Sequence, residues 1–227
     1  AANSFVGVSW KMPVNHMETN AMAVLYQLEA IRKHCPLCRY YNAGSSEEFG
    51  DVVATPQDET HPLRPRSPYG ASKCAARHLV KVYRDSYDMY AVQGWLFNHE
   101  GVRRGEEFVT RKITQNVARI YAQYTQEKNY IINETGSRVD PMKLGNVDAK
   151  RDWSDAEDFV NGVWRMLNQA RESAKEYVLS SDETHTIREF VEEAFNFAGF
   201  ATHECQWVGS GVDEKYMHGK DTLVEID

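Results

Sequence analysis

Tyr69-Gly70-Ala71-Ser72-Lys73 follows a proline-rich stretch and opens an apolar-periodic segment, with Ser45-Ser46-Glu47 upstream of it. A tyrosine and a lysine at i and i+4 share one face of a helix, one turn apart. An ammonium held there favours the tyrosinate, because a nearby opposite charge lowers a phenol pKa from about 10. That arrangement yields a usable base near neutral pH. A hydroxyl and a carboxylate two residues apart, Ser45 and Glu47, would supply the remaining groups for an elimination if brought beside it.

Working outward, Ala76, Leu79, Val80, Tyr83 and Tyr87 repeat at helical spacing and predict a helix over 69–88. Ala21, Val24, Leu25, Leu28 and Ile31 predict another over 17–34. Between them, Arg39 to Gly44 reads as a short strand ending in small residues, and 51–68 as loop. Met89 to Phe97 is nearly continuously apolar, as a strand buried on both faces should be. Further helices are expected over 109–124, 154–169 and 187–198. Ser154 with Glu157, and Thr186 with Glu189, have the spacing of capping boxes. The 154–169 helix would bury Phe159, Val160, Val163, Trp164 and Leu167. Tyr177–Leu179 and Leu223–Ile226 read as short strands, and Gly209-Ser210-Gly211 as a mobile loop. Strands alternating with helices imply an α/β fold with a parallel sheet. Ser45 and Glu47, then Asn98, His99 and Glu100, follow strand ends, where such folds place their chemistry.

The 227 residues suffice for one large domain or two lobes, and 42% hydrophobic with 26% charged residues is a globular balance. A net charge of −7 argues against a general nucleic-acid binder. No apolar run approaches the roughly 20 residues that span a bilayer. No cleavable secretory segment is visible at the start. Of four cysteines, Cys35 and Cys38 have ligand-like spacing, but a single CxxC is weak evidence for zinc, so no metal site is expected and the thiols suit a reducing cytoplasm. Asn133-Glu134-Thr135 matches a glycosylation sequon that is expected to go unused. Glu48 reads as a solvated surface acid, and Trp153 as core.

Two further blocks carry a resemblance. Leu96-Phe97-Asn98-His99-Glu100-Gly101-Val102-Arg103-Arg104-Gly105, continuing to Phe108-Val109-Thr110-Arg111-Lys112, is highly specific, and so is Gly145-Asn146-Val147-Asp148-Ala149-Lys150-Arg151-Asp152-Trp153. With the tyrosine–lysine pair, the chain resembles the extended short-chain dehydrogenase/reductases, and more narrowly the GDP-mannose 4,6-dehydratase family, over nearly its whole length. The resemblance implies a Rossmann-like parallel sheet with a smaller sugar-nucleotide-binding lobe. The expected division is 1–97, carrying the catalytic residues, and 98–227, mainly the lobe, with the chain crossing back to the sheet. It further implies tightly held NADP, GDP-mannose as substrate, and a homodimer or homotetramer, the helices at 17–34 and 69–88 forming a four-helix interface.

The residue roles implied are catalysis by Ser45, Glu47, Tyr69 and Lys73. Ala1, Ala2, Asn3, Ser4, Lys73, His99 and Arg104 would hold cofactor, and Asn98, Val109, Lys112 and Arg151 would hold the sugar nucleotide, whose pyrophosphate suits lysine and arginine. The product would be GDP-4-dehydro-6-deoxy-mannose. Two departures stand out. The family usually has threonine where this chain has Ser45, which keeps the hydroxyl. The family also opens with a strand and a Gly-x-x-Gly-x-x-Gly turn, and no such turn occurs here. The first four strands of the family fold are thus expected to be missing, which would leave the 39–44 strand as an edge to be covered by a partner chain, by a swap, or by a part of the protein outside this sequence. Two other readings stay open. One is a nucleotide-sugar epimerase or reductase, against which Glu47 argues. The other is a non-catalytic sugar-nucleotide-binding fragment, which the missing turn favours.

Overall fold

The computed structural model describes residues 2–125 and 139–227; the sequon at 133–135 and Ala1 lie outside the described residues. In chain order the elements are α1 (Val6–Ser9), α2 (Pro13–Met17), a π-helical turn (Glu18–Met22), α3 (Ala23–His34), β1 (Tyr40–Ala43), a 3-10 turn (Ser46–Glu48), α4 (Pro68–Tyr87), β2 (Ala91–Leu96), β3 (Asn98–Glu100), α5 (Val109–Thr125), β4 (Met142–Leu144), β5 (Lys150–Arg151), β6 (Trp153–Asp155), α6 (Ala156–Leu167), β7 (Glu176–Leu179), β8 (His185–Thr186), α7 (Ile187–Phe197), β9 (Cys205–Val208), β10 (Lys215–His218) and β11 (Asp221–Ile226). They group into two compact units, Ala1–Gly101 with Asp152–Glu183, and Val102–Arg151 with Thr184–Asp227. Asn98 to Gly101 go with the first unit because β3 pairs in parallel with β6, Asn98 opposite Trp153 and Glu100 opposite Asp155.

The first unit is built on a parallel sheet ordered β1-β2-β7. β2 is central and buried at all six positions, which is why it reads as a nearly continuous apolar run. On one face, Val24 and Leu28 of α3 meet Ala76, Val80 and Tyr83 of α4 over Met89 and Ala91. A second cluster joins Tyr90 and Val92 to Met166 of α6, with Leu167, Tyr177 and Leu179 against it. β1 pairs with β2 and with no other described strand.

α6 departs from expectation at its start and on its exposed side. Asp155, not Ser154, is the N-cap, its carboxylate accepting from the Glu157 N–H at 2.8 Å. Ser154 is taken up by β6, opposite His99. The helix buries Phe159 and Met166, and leaves Val160 and Trp164 68% and 64% exposed, contrary to the apolar face expected for them. Thr186 and Glu189 do form the expected capping box at the head of α7.

The second unit has α5 and α7 beside a four-stranded sheet ordered β4-β11-β10-β9, with β5 and β8 as an antiparallel pair. Ile113, Val117 and Ile120 from α5, Val191 and Phe195 from α7, and Leu223 and Val224 from β11 are buried. The loop at 209–211 connects β9 to β10. Gly209 and Gly211 sit there at φ +92° and +62°, conformations in which a side chain is strained. No helix among the described residues is long and apolar enough to cross a membrane.

Candidate active site

Chain exit from β1 brings the backbone against β2 so closely that a Cβ on Gly44 would lie 2.0 Å from Gln93 Nε2 and 2.5 Å from the Gly94 carbonyl. Ser45 follows in extended conformation and caps the 3-10 turn, its Oγ accepting from the Glu47 N–H at 3.3 Å. The Glu48 carboxylate closes the capping box by accepting from the Ser45 N–H at 2.9 Å. Glu47 is exposed at the surface of this turn.

Glu48 is not the surface acid its neighbours in sequence suggested. It is 0% exposed, and its second oxygen accepts from the indole N–H of Trp95 at 2.9 Å. Burial pushes its carboxyl up to about 7, against the pull of the Trp95 and Ser45 donors and the nearby Lys73 and Arg77 charges.

α4 starts where the sequence demands it. Ser67 accepts from the Gly70 N–H at 3.0 Å, and Pro68 occupies a first-turn position at which its missing N–H costs nothing. Tyr69 is therefore in the first helical turn, 7% exposed, and Lys73, 6% exposed, is one turn further on. The Lys73 ammonium donates to the Ala43 carbonyl at 2.8 Å and lies 5.8 Å from the centre of the Tyr69 ring. Burial lowers the Lys73 pKa, and the Glu48 charge opposes that shift.

Gly70 joins the two halves: a Cβ there would stand 2.6 Å from the Glu47 carbonyl oxygen. The turn carrying Ser45 and Glu47 thus rests on the first turn of the helix carrying Tyr69 and Lys73, and the structure brings these four residues to one place. Gly70→Ala is expected to force the turn and helix apart, lowering the thermal unfolding midpoint and cutting turnover more than tenfold; overpacking of this kind costs about 1–3 kcal/mol. Differential scanning fluorimetry with steady-state kinetics checks it, and full activity in the variant would contradict the close packing.

Beside Lys73 is a cleft of about 210 Å³ lined by Ala2, Asn20, Val24 and the strand Tyr40–Ala43. The Asn20 side chain accepts from the Asn3 N–H at 2.9 Å and donates to the Asn3 carbonyl at 3.1 Å and to Ser72 Oγ at 3.1 Å. The π-helical turn is what carries Asn20 to this buried position. Ser4 is exposed. A buried ammonium at the wall of a partly polar cleft fits the hydroxyls of a nicotinamide ribose. The stacked His99 and Phe159 rings, 4.9 Å apart, mark the end of β3, where His99 Nδ1 bonds the Phe97 carbonyl at 2.9 Å. Asn98 opens the same strand.

Arg104, Val109, Lys112 and Arg151 belong to the second unit. The Arg104 guanidinium lies over Phe108, 3.5 Å from the ring centre. Val109 begins α5, Lys112 is exposed one turn on, and Arg151 is exposed in β5. Sequence reasoning passed over Asn20 and Ser72 and took Glu48 for a surface acid. Polar residues within apolar periodicity were the available signal for the first two; nothing in the sequence distinguished Glu48 from its exposed neighbour. Among the described residues, no group of three His, Cys, Asp or Glu side chains is arranged to hold a metal ion.

Solved structures share this architecture. RMD from Pseudomonas aeruginosa complexed with NADPH matches with a TM-score of 0.76 at 23% identity, over 87% of this chain and 64% of that one. DesIV, a dTDP-glucose 4,6-dehydratase from Streptomyces venezuelae with NAD and TYD bound, matches at 0.72 and 21% identity, over 88% of this chain and 56% of that one. Likeness at these identities shows the fold, which is Rossmann-type α/β, the class to which the parallel sheet already assigned the chain. The family described as GDP-mannose 4,6 dehydratase matches residues 1–227, and the chain belongs to that family. It is 45% identical to the GDP-mannose 4,6 dehydratase of Drosophila melanogaster over 100% of this chain and 53% of that protein. It is 39% identical to the Homo sapiens protein of that name over 94% of this chain and 53% of that one. The chain spans about half the length of the curated relatives it matches.

Proposed function

We propose that the protein to which this chain belongs converts GDP-mannose to GDP-4-dehydro-6-deoxy-mannose, with NADP as its nicotinamide cofactor. The carrying observation is the packing of the Ser45–Glu48 turn on the first turn of α4, where Gly70 leaves room for the Glu47 carbonyl. NADP, held beside Lys73, would supply the hydride acceptor and donor that the reaction needs at C4 and C6 of the hexose. The chain's own residues handle the protons. Tyr69 removes the proton of the 4-hydroxyl, and the Lys73 ammonium stabilises the phenolate and holds the ribose. Ketone formation at C4 acidifies the C5–H, since the resulting carbanion is delocalised as an enolate. Glu47 takes that proton and delivers it to the departing 6-hydroxyl, with Ser45 bonding alongside, and C5 regains a proton exchanged with solvent as hydride is returned at C6.

Ala1 to Ser4, His99 and Arg104 complete the cofactor set in this reading, and Asn98, Val109, Lys112 and Arg151 that of the sugar nucleotide. A nicotinamide cofactor is supported by NADPH in the Pseudomonas aeruginosa RMD structure and NAD in the DesIV structure, and NADP by the family resemblance. A homodimer or homotetramer is supported by Tyr26, Val82 and Tyr87, which stand half or more exposed on α3 and α4. The four free cysteines suit a cytoplasmic protein. The test is incubation of the protein with GDP-mannose and NADP⁺. A 4-keto, 6-deoxy product by NMR is the expected result, and GDP-mannose recovered unchanged, or altered only in stereochemistry at C4, would overturn it.

A further inference from the structure

We propose that Glu48 is a positioning residue for this reaction: its buried carboxylate ties the Ser45–Glu47 turn to β2. The inference rests on the dehydratase reading above and deepens it. Three N–H donors converge on the carboxylate. One oxygen accepts from the Ser45 backbone at 2.9 Å and from Gln93 Nε2 at 3.2 Å, and the other from Trp95 Nε1 at 2.9 Å. Gln93 is itself held, since Asn42 Nδ2 donates to its Oε1 at 2.6 Å. The end of β1, the centre of β2 and the turn are therefore joined through one side chain.

Every side-chain and backbone group bonded to these oxygens is a donor, so the site is built for the ionised form. A protonated carboxyl would turn its own O–H against one of the three N–H groups. The charged and titratable neighbours come from α4: Lys73, Cys74, whose thiol donates to the Glu48 carbonyl at 3.6 Å, and Arg77, which also pairs with Glu176 at 3.3 Å. β2 presents Gln93 and Trp95, which carry no charge. Lys73 is the neighbour that matters for chemistry. Burial lowers its pKa from the usual lysine value, and the Glu48 charge opposes that shift.

Burial sets the Glu48 carboxyl at about 7, so it is charged on the alkaline side. The sign of the linkage follows: a carboxyl raised above its unfolded value of 4.5 contributes stability that is full below 4.5 and is lost as pH rises through about 7.

The experiment uses the full-length protein. The ¹⁵N–¹H signals of the Trp95 indole and the Ser45 amide are followed against pH, beside kcat and KM for GDP-mannose. In the parent, both signals and kcat should step at one pH near 7, kcat falling on the acid side with KM moving less than twofold. In Glu48→Gln the step should vanish from all three, with kcat lower by about ten- to hundredfold, the scale of a slight misplacement of reacting groups. Product formation with no kcat step where the indole signal titrates, or a Glu48→Gln variant retaining the parent kcat and pH profile, would overturn the proposal. The parent titration needs no variant, so a misfolded Glu48→Gln leaves the test standing. Absence of product from the parent while the indole signal still steps would count against the dehydratase reading instead, and with it against a role for Glu48 in that reaction.

Discussion

Tyr69→Phe is expected to lower kcat for GDP-mannose by about 10²- to 10⁴-fold, the range that a positioned general base contributes, while KM changes by no more than a few-fold. The substitution removes one oxygen and keeps the ring, so the packing of a residue only 7% exposed survives, and the unfolding midpoint should stay within a few degrees. What is lost is the atom that the neighbouring ammonium serves. Lys73 reaches the Ala43 carbonyl at 2.8 Å, which fixes the ammonium 5.8 Å from the Tyr69 ring centre and leaves its charge to act on whatever the ring presents. Without a phenolate the 4-hydroxyl keeps its proton, the C4 ketone never forms, and the C5–H stays unacidified. Product made in D₂O gives the sharpest measurement: the parent should introduce deuterium at C5, and Tyr69→Phe should show neither product nor exchange. Exchange at C5 persisting in that variant would remove Tyr69 from the first step.

Much of this arrangement was legible before any coordinates. The central strand betrayed itself by a nearly continuous apolar run because both faces of β2 are covered. The 69–88 helix was legible because Ala76, Val80 and Tyr83 recur on the face that meets α3. Short strands whose pattern is set by tertiary pairing were not. β9 and β10 hold Gln206, Trp207, Lys215 and His218 in an antiparallel pair, and four residues of mixed polarity are too few to show a period. β3 and β6, three residues each, exist because they pair with one another. At the site, the tyrosine–lysine spacing announced itself, since i and i+4 on a helix is a local relation. Glu48 could not, because its burial depends on Gln93 and Trp95 far along the chain. Local charge in a polar segment looked like solvent-facing charge until the sheet folded over it.

Glu47→Gln is the second variant of large effect, and its contrast with Glu48 is what makes it informative. Successive residues of a 3-10 turn project about 120° apart, so two adjacent glutamates cannot serve the same space. Here one carboxylate is sealed among donors and the other belongs to an exposed residue of the turn, whose backbone carbonyl rests on Gly70 in the first turn of α4. Ser45 Oγ holds the Glu47 N–H at 3.3 Å, so the backbone of residue 47 is fixed whichever side chain it carries. Glutamine keeps the size and polarity but cannot accept a proton, so GDP-mannose should bind with unchanged affinity by calorimetry while product formation falls about 10²- to 10⁴-fold. The step lost is the one at C5. Deuterium should fail to enter that carbon, and the pH-dependent step assigned to Glu48 should persist in the Trp95 indole signal, because that carboxylate is untouched. Undiminished product from Glu47→Gln would mean that another group takes the C5 proton, and a Trp95 signal that no longer steps would mean that the two acids do not act separately.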